Sequence, residues 1–139
     1  MKILVSACLL GERCRYDGKD AKNEKVIAYI KDAKKVIAVC PEVLGGLDTP
    51  REPSEIVCGR VITKSGCDVT DNFISGANEA LKTAKEENID IAILKAKSPS
   101  CGVRNIYDGS FSKKVTEGQG VFAKLLKENG FKVFDEDEM

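Results

Sequence analysis

Three short apolar runs of this sequence each lead to a cysteine, two of them directly and the third through a loop rich in Ser, Pro and Gly. The runs and their cysteines are 2–7 with Cys8, 36–39 with Cys40, and 89–94 with Cys101. Such runs are typical of strands that are buried on both faces of a parallel sheet. Because the carboxyl ends of parallel strands share one edge of an open α/β sheet, we expect the three thiols to converge there.

Segments with helical periodicity separate these runs. The predicted helices span about 23–34, 70–88 and 118–129, with Asn23 and Thr70 as N-caps, and a last strand spans 131–134. Right-handed crossovers then predict the order 2-1-3-4 for the four main strands. The fold class is α/β, a small Rossmann-like three-layer sandwich with a mostly parallel central sheet. We expect residues 1–139 to form a single domain.

The remaining segments have weaker patterns. Gly and Pro predict an irregular loop over 43–53, and a short hairpin is predicted over 56–63 with a turn near 64–66. The acidic end, 135–138, is expected to be a solvated tail.

Composition narrows the functional classes. The 22 basic and 22 acidic residues balance, so no global field draws the protein to nucleic acid or to an anionic membrane. Histidine is absent, which excludes Cys–His catalysis and every zinc site that uses histidine. No apolar run is long enough for a signal peptide or a membrane span, so we expect a cytoplasmic protein. In that compartment cysteines are more often free, metal-bound or catalytic than paired in disulfides.

From the residues alone, the cysteines allow three interpretations: small buried hydrophobes, ligands of a metal or cluster, or redox and nucleophilic groups. Spacing does not decide among them, because the C-x-x-C pattern of zinc ribbons and ferredoxins is absent. The phosphate-binding patterns G-x-G-x-x-G and G-x-x-x-x-G-K-[ST] are absent as well.

A series of longer motifs resembles the thiouracil desulfurase family, in order and over nearly the whole chain. They are Val5-Ser6-Ala7-Cys8-Leu9-Leu10-Gly11, Cys14-Arg15-Tyr16-Asp17-Gly18, Cys40-Pro41-Glu42, Gly45-Gly46-Leu47, Pro50-Arg51, Asp68-Val69-Thr70, Ile93-Leu94-Lys95, Ser98-Pro99-Ser100-Cys101-Gly102 and Ile106-Tyr107-Asp108-Gly109. The resemblance implies an enzyme that converts thiouracil to uracil and sulfide without net electron transfer.

The same resemblance implies a 4Fe–4S cluster held by only three cysteines, Cys8, Cys40 and Cys101. The fourth iron would keep an open site that binds the sulfur of a thiolated pyrimidine base. Soft iron prefers sulfur to oxygen, and its coordination favours attack by water on the adjacent carbon.

Attack by water requires a base and a proton donor, for which Glu42, Ser98 and Ser100 are the candidates. The alternative for Glu42 is a loop carboxylate paired with Arg15 or Arg51, and for the serines it is ordinary turn hydrogen bonding. Arg15 and Lys95 are the candidates for binding substrate. These two cations, or Arg104, would also offset the negative charge of the cluster.

Some positions depart from the family pattern. Cys58 and Cys67 lie outside its cysteine motifs, and we expect them to be structural or incidental. Cys14 lies inside one motif without being a family ligand; we expect it to serve in packing, and the alternative is a role beside the cluster or in handling sulfur. Lys113 stands where a glycine is usual and Phe122 where a threonine is usual, which would alter substrate preference if that region shapes the pocket.

Two alternatives to a desulfurase remain at this point: a non-enzymatic iron–sulfur carrier or sensor, and a structural zinc or plain thiol protein. The expected partner is a small thiolated base. Neither a membrane nor stable nucleic-acid binding is expected. The sequence does not choose among free base, nucleoside and thiolated RNA, and it does not indicate an oligomeric state.

Overall fold

The computed structural model describes residues 1–139. Its strands are β1 (Lys2–Ser6), β2 (Lys35–Val39), β3 (Ser54–Val57), β4 (Arg60–Thr63), β5 (Ile91–Leu94), β6 (Asn105–Tyr107), β7 (Val115–Glu117) and β8 (Lys132–Asp135). Its α-helices are α1 (Glu24–Ile30), α2 (Pro41–Leu44), α3 (Thr70–Glu87) and α4 (Val121–Glu128). Single 3-10 turns follow β1 at Ala7–Leu10 and β8 at Glu136–Glu138. None of the helices combines the length and apolar character that a membrane span needs.

The central sheet has four parallel strands in the order β2-β1-β5-β8. This confirms the predicted order 2-1-3-4 and the mostly parallel sheet. In the register, Ile3 of β1 lies between Val36 of β2 and Ile91 of β5. All four strands therefore end at one edge of the sheet.

Successive residues of β1 point to opposite faces, and each face carries its own layer. Leu4 belongs to the larger cluster, which contains the inner faces of α3 and α4. Ile3 and Val5 belong to a smaller cluster with Val26 of α1. The predicted α/β three-layer sandwich is thus confirmed.

Two glycines allow the backbone to approach closely where the chain leaves the sheet. A Cβ on Gly76 of α3 would collide with the carbonyl oxygen of Pro41, the first residue of α2. A Cβ on Gly120, just before α4, would lie 2.5 Å from the carbonyl carbon of Ser100. These contacts fix the segments that carry Cys40 and Cys101 relative to the two large helices.

Two local predictions were wrong, one about an irregular loop and one about a helix cap, whereas the hairpin between them was predicted. The helix α2 begins at Pro41 and extends into the region predicted to be irregular from 43. The predicted hairpin is present as β3 and β4 with its turn at Cys58 and Gly59, both with positive φ. The predicted turn at 64–66 is present as well and follows β4, where the N–H of Gly66 donates to the carbonyl oxygen of Thr63. Thr70 does not cap α3, because it is the first helical residue and its hydroxyl oxygen accepts from the N–H of Val61.

The C-terminal segment is not a solvated tail. Asp135 and Glu136 are buried, and Asp135 forms a capping box with Glu138 at the last 3-10 turn. The β6–β7 hairpin was not predicted at all, because its strands are three residues long and mostly exposed, so they show no alternation to detect.

Candidate functional site

A pocket of about 620 Å³ opens at the carboxyl edge of the central sheet. Its wall brings together all the residues that were predicted as cluster ligands, proton-transfer groups or substrate-binding groups. They are Cys8, Arg15, Cys40, Glu42, Lys95, Ser98, Ser100 and Cys101. The convergence expected from the strand ends is therefore present in the fold.

Each of the three cysteines leaves its strand by a different local structure. Cys8 lies in the 3-10 turn after β1, because the strand ends at Ser6, two residues before the cysteine at which it was expected to end. Cys40 occupies the N-cap position of α2, and its thiol lies 3.8 Å from the carbonyl oxygen of Cys14. Cys101 is buried in a turn where its N–H donates to Ser98 Oγ at 3.1 Å. All three thiols are free.

The surroundings of Cys40 and Cys101 favour the protonated thiol when no cation is bound. Burial raises the pKa of Cys101 to about 12, although hydrogen bonds with Ser6 and Ser100 oppose the rise. A hydrogen bond with Cys14, together with burial, also raises the pKa of Cys40. A cationic metal group that binds these cysteines as thiolates would therefore displace the protons of their thiols.

A chain of polar side chains lies beside Cys101. Ser100 Oγ donates to Glu42 Oε2 at 2.8 Å, lies 3.0 Å from Ser98 Oγ, and lies 3.6 Å from Cys101 Sγ. The carboxylate and the two hydroxyls thus form a continuous hydrogen-bonded path that ends at a cysteine. Such a path can hold and move a proton next to that cysteine.

The second oxygen of the Glu42 carboxylate accepts from Arg51 Nε at 3.2 Å. Both side chains are mostly buried, and Arg51 also donates to the carbonyl oxygens of Cys14 and Asp48. The pairing that the sequence offered as an alternative role for Glu42 is therefore present together with the contact to Ser100. The ion pair with Arg51 holds the Glu42 carboxylate in the direction of Ser100.

The candidate cations differ in their surroundings. Lys95 Nζ is 2.8 Å from Glu136 Oε2, so a carboxylate from the C-terminal segment already neutralises it. Arg15 keeps a weaker ion pair with Asp17, at 3.7 Å. Arg104 does not line the pocket and pairs with Asp135, so it does not serve as a counter-charge for this site.

The donor set fits an iron–sulfur cluster better than a single metal ion. No three cysteine, aspartate or glutamate side chains lie close enough to hold one ion between them. Three thiols nevertheless face one cavity from three different strand ends. Cluster iron is normally held by cysteine thiolates, and a cluster spans more space than one ion. This geometry disfavours the structural zinc protein considered above.

Comparison with known proteins agrees with the resemblance of the motifs. The family model described as 2-thiouracil desulfurase matches residues 3–138. The chain belongs to this family. It is 47% identical to the Bacillus subtilis (strain 168) protein "Uncharacterized protein YbbK", over 99% of this chain and 97% of that protein.

A solved structure of similar sequence supports the same conclusion. It is described as a "[4Fe-4S]-dependent thiouracil desulfidase TudS", is 43% identical to this chain, and superposes with a TM-score of 0.93. The alignment covers 99% of this chain and 92% of the solved one. The descriptions of the family and of the solved structure both name an enzyme. The solved structure shares the sandwich fold described above.

The sequence analysis missed two neighbours of the desulfurase-like site. Arg51 appeared there only as an optional partner of Glu42, although the Pro50-Arg51 motif was a signal that a role was needed. Glu136 was missed because nothing in an acidic C-terminal run indicates a partner 40 residues away. Cys14 lines the pocket, whereas Cys58 and Cys67 are exposed and do not.

Proposed function

We propose that this chain, as one desulfurase-like domain over 1–139, desulfurates thiolated pyrimidine bases with a 4Fe–4S cluster and without net electron transfer. Thiouracil and water would give uracil and sulfide. The observation that carries the proposal is the meeting of Cys8, Cys40 and Cys101 at one pocket with a hydrogen-bonded carboxylate and serine beside Cys101. The cofactor agrees with the solved relative, which is [4Fe-4S]-dependent.

Cys8, Cys40 and Cys101 are the proposed ligands. When bound, the cluster supplies a soft Lewis acid that takes the substrate sulfur. This three-cysteine set is the one that the resemblance to the family implies, and Cys14, the fourth thiol of the pocket wall, is not assigned to it. Hydrogen bonds with Cys40 and with Cys8 have opposite effects on the pKa of Cys14, and together with burial the net result is a rise to about 11.

Glu42 is the proposed base that takes a proton from the attacking water. Arg51 and Ser100 fix the direction of its carboxylate, since one oxygen accepts from the guanidinium and the other accepts from the hydroxyl. Ser100 and Ser98 relay the proton toward the substrate ring. Arg15 and Lys95 are the proposed substrate-binding residues. Arg15, which has the weaker ion pair, would offset negative charge there, whereas Lys95, whose charge Glu136 balances, would donate a hydrogen bond.

The test is iron, zinc and acid-labile sulfide content of protein purified and reconstituted without oxygen, followed by sulfide release from 2-thiouracil. Cys8→Ala, Cys40→Ala and Cys101→Ala are compared with wild type and with Cys67→Ala, whose thiol is exposed and outside the pocket. We expect about four irons per chain in wild type and in Cys67→Ala, and loss of the cluster in the other three variants.

Colourless protein that binds no iron, or pocket variants that keep a full cluster, would contradict the ligand assignment. A full cluster that releases no sulfide from thiouracil but is transferred to an apo-acceptor would favour the carrier alternative. No contact in the pocket favours that alternative over catalysis.

A further inference from the structure

The outer wall of the pocket is a loop that no step of the proposed reaction has used. The loop joins β6 to β7 over 108–114. Its residues Phe111 and Lys113 line the pocket, as does Tyr107 immediately before it. Phe111 and Lys113 have φ of 55° and 62°, the left-handed region that residues with a side chain rarely adopt. Strain of this kind persists where surrounding contacts hold it, and it is common at functional sites.

Glu55 supplies those contacts from β3. Its Oε1 accepts from the N–H of Gly109 at 2.9 Å and from the N–H of Phe111 at 3.2 Å. Glu55 is the one buried residue of β3, and its carboxylate takes part in no ion pair. A buried carboxylate without a cation is unfavourable unless hydrogen bonds compensate it, so the two loop amides are its main support.

Gly109 shows how closely the loop packs on β3. A Cβ added there would lie 2.8 Å from the carbonyl oxygen of Ile56, and the glycine itself has φ of 92°. The backbone of Ile56 and the carboxylate of Glu55 therefore both contact the loop, from adjacent positions of β3. The side chain of Phe111 is half-buried and faces the pocket rather than the main core.

We propose that Glu55 is a positioning residue that holds the loop in this conformation, so that Phe111 forms the wall against which the substrate ring packs. A flat aromatic side chain suits a pyrimidine ring, since offset or edge contacts between rings are favourable beyond the area they bury. This inference rests on the proposed function. It assigns Phe111 to ground-state binding of the ring and Glu55 to the placement of Phe111.

The chain offers a matched control. Glu52, three positions before Glu55, also accepts hydrogen bonds from a loop, through the N–H and the hydroxyl of Ser65 at 3.0 and 2.8 Å. It is not part of the pocket wall. Glu52→Ala therefore removes a carboxylate that holds a loop in a similar way, but it leaves the pocket wall unchanged.

The experiment compares wild type with Glu55→Ala, Glu55→Gln, Phe111→Ala and Glu52→Ala, each reconstituted with its cluster. Amide hydrogen exchange is followed at Gly109 and Phe111, and KM and kcat are measured for sulfide release from 2-thiouracil. In Glu55→Ala we expect exchange at both amides to be about tenfold faster or more, because hydrogen bonds to a charged acceptor are lost. Glu55→Gln, which keeps an acceptor oxygen, should be intermediate.

The kinetic arm separates binding from assembly of the site. Both Glu55→Ala and Phe111→Ala are expected to raise KM about tenfold while kcat changes less than about threefold, as removal of uniform ring binding predicts. Iron content should equal that of wild type, and Glu52→Ala should match wild type in every measurement.

Unchanged exchange in Glu55→Ala would overturn the positioning role. An unchanged KM in Phe111→Ala, or loss of iron in Glu55→Ala, would overturn the proposal that Phe111 packs against the substrate ring. Wild-type protein with a full cluster that releases no sulfide would refute the proposed function and the role of Phe111 with it. The exchange comparison would still decide whether Glu55 holds the loop.

Discussion

The carboxylate of Glu42 accepts one hydrogen bond from a cation and one from a hydroxyl, and the two have different consequences. Arg51 fixes the direction of the carboxylate, whereas Ser100 connects it to Cys101. A carboxylate paired only with arginine would be structural. The contact with Ser100, the residue before Cys101, is the reason why Glu42 is the proposed base.

Glu42→Gln keeps the size of the side chain and removes its basicity. We expect kcat for sulfide release from 2-thiouracil to fall by about 100-fold or more, the usual scale for loss of a general base. Iron content should stay unchanged because no ligand is altered. Glu52→Gln, which lies outside the pocket, is the control. A Glu42→Gln enzyme with the wild-type rate would reduce Glu42 to a partner of Arg51.

At the scale of elements, the sequence predicted the parts whose pattern is set by burial. The strands of the central sheet are apolar runs, and their order follows from crossover handedness, so both were predictable. The convergence of Cys8, Cys40 and Cys101 followed from that order. Their role as ligands and the functions of Glu42 and Ser100 came from the resemblance and from chemistry, and stay predictions.

Elements defined by contacts were not predictable in the same way. The helix α2 is a single turn whose position depends on Gly45 and Gly76, which let it pack directly on α3. The β6–β7 hairpin has exposed strands, and its loop is held by Glu55, a residue more than fifty positions earlier. A local sequence pattern contains no record of such long-range contacts.

Gly76→Ala tests whether the contact between α2 and α3 positions the site. In an exposed helix this change is stabilising, since alanine has the higher helix propensity. Here the added Cβ collides with the carbonyl of Pro41, so we expect the free energy of unfolding to fall by about 1–3 kcal/mol, as in overpacked cores. Iron retention should fall too, because Cys40 and Glu42 flank Pro41.

Urea unfolding and iron content are compared with those of Ser75→Ala, at an exposed neighbouring position of α3. That control should be as stable as wild type or slightly more so. If Gly76→Ala behaved like Ser75→Ala, the close approach of the two helices would have no part in building the site.

At the scale of the whole molecule, the C-terminal segment packs against the loop that follows β5 and carries Cys101. Glu136 accepts from the N–H of Ala96 at 2.6 Å and pairs with Lys95, at the start of the loop that carries Ser98, Ser100 and Cys101. Asp135 adds a bidentate pair with Arg104. The acidic end was expected to be solvated because its composition is polar, but these partners lie some 30 to 40 positions earlier and bury it.

Glu136→Gln tests this closure. The amide keeps the shape but leaves Lys95 half-buried without a counter-charge, and it weakens a short buried bond to the N–H of Ala96. Loss of hydrogen bonds to a charged group predicts a fall of about 1–3 kcal/mol in the free energy of unfolding. Because the same loop carries Cys101, we expect less iron after reconstitution.

Asp137→Asn is the matched control, since Asp137 is the next residue of the same 3-10 turn and is exposed. It should unfold at the same urea concentration as wild type and bind the same amount of iron. Equal stability of Glu136→Gln and Asp137→Asn would mean that the C-terminal turn only rests on the loop. A stability loss confined to Glu136→Gln would show that the last residues of the chain hold the cysteine loop in place.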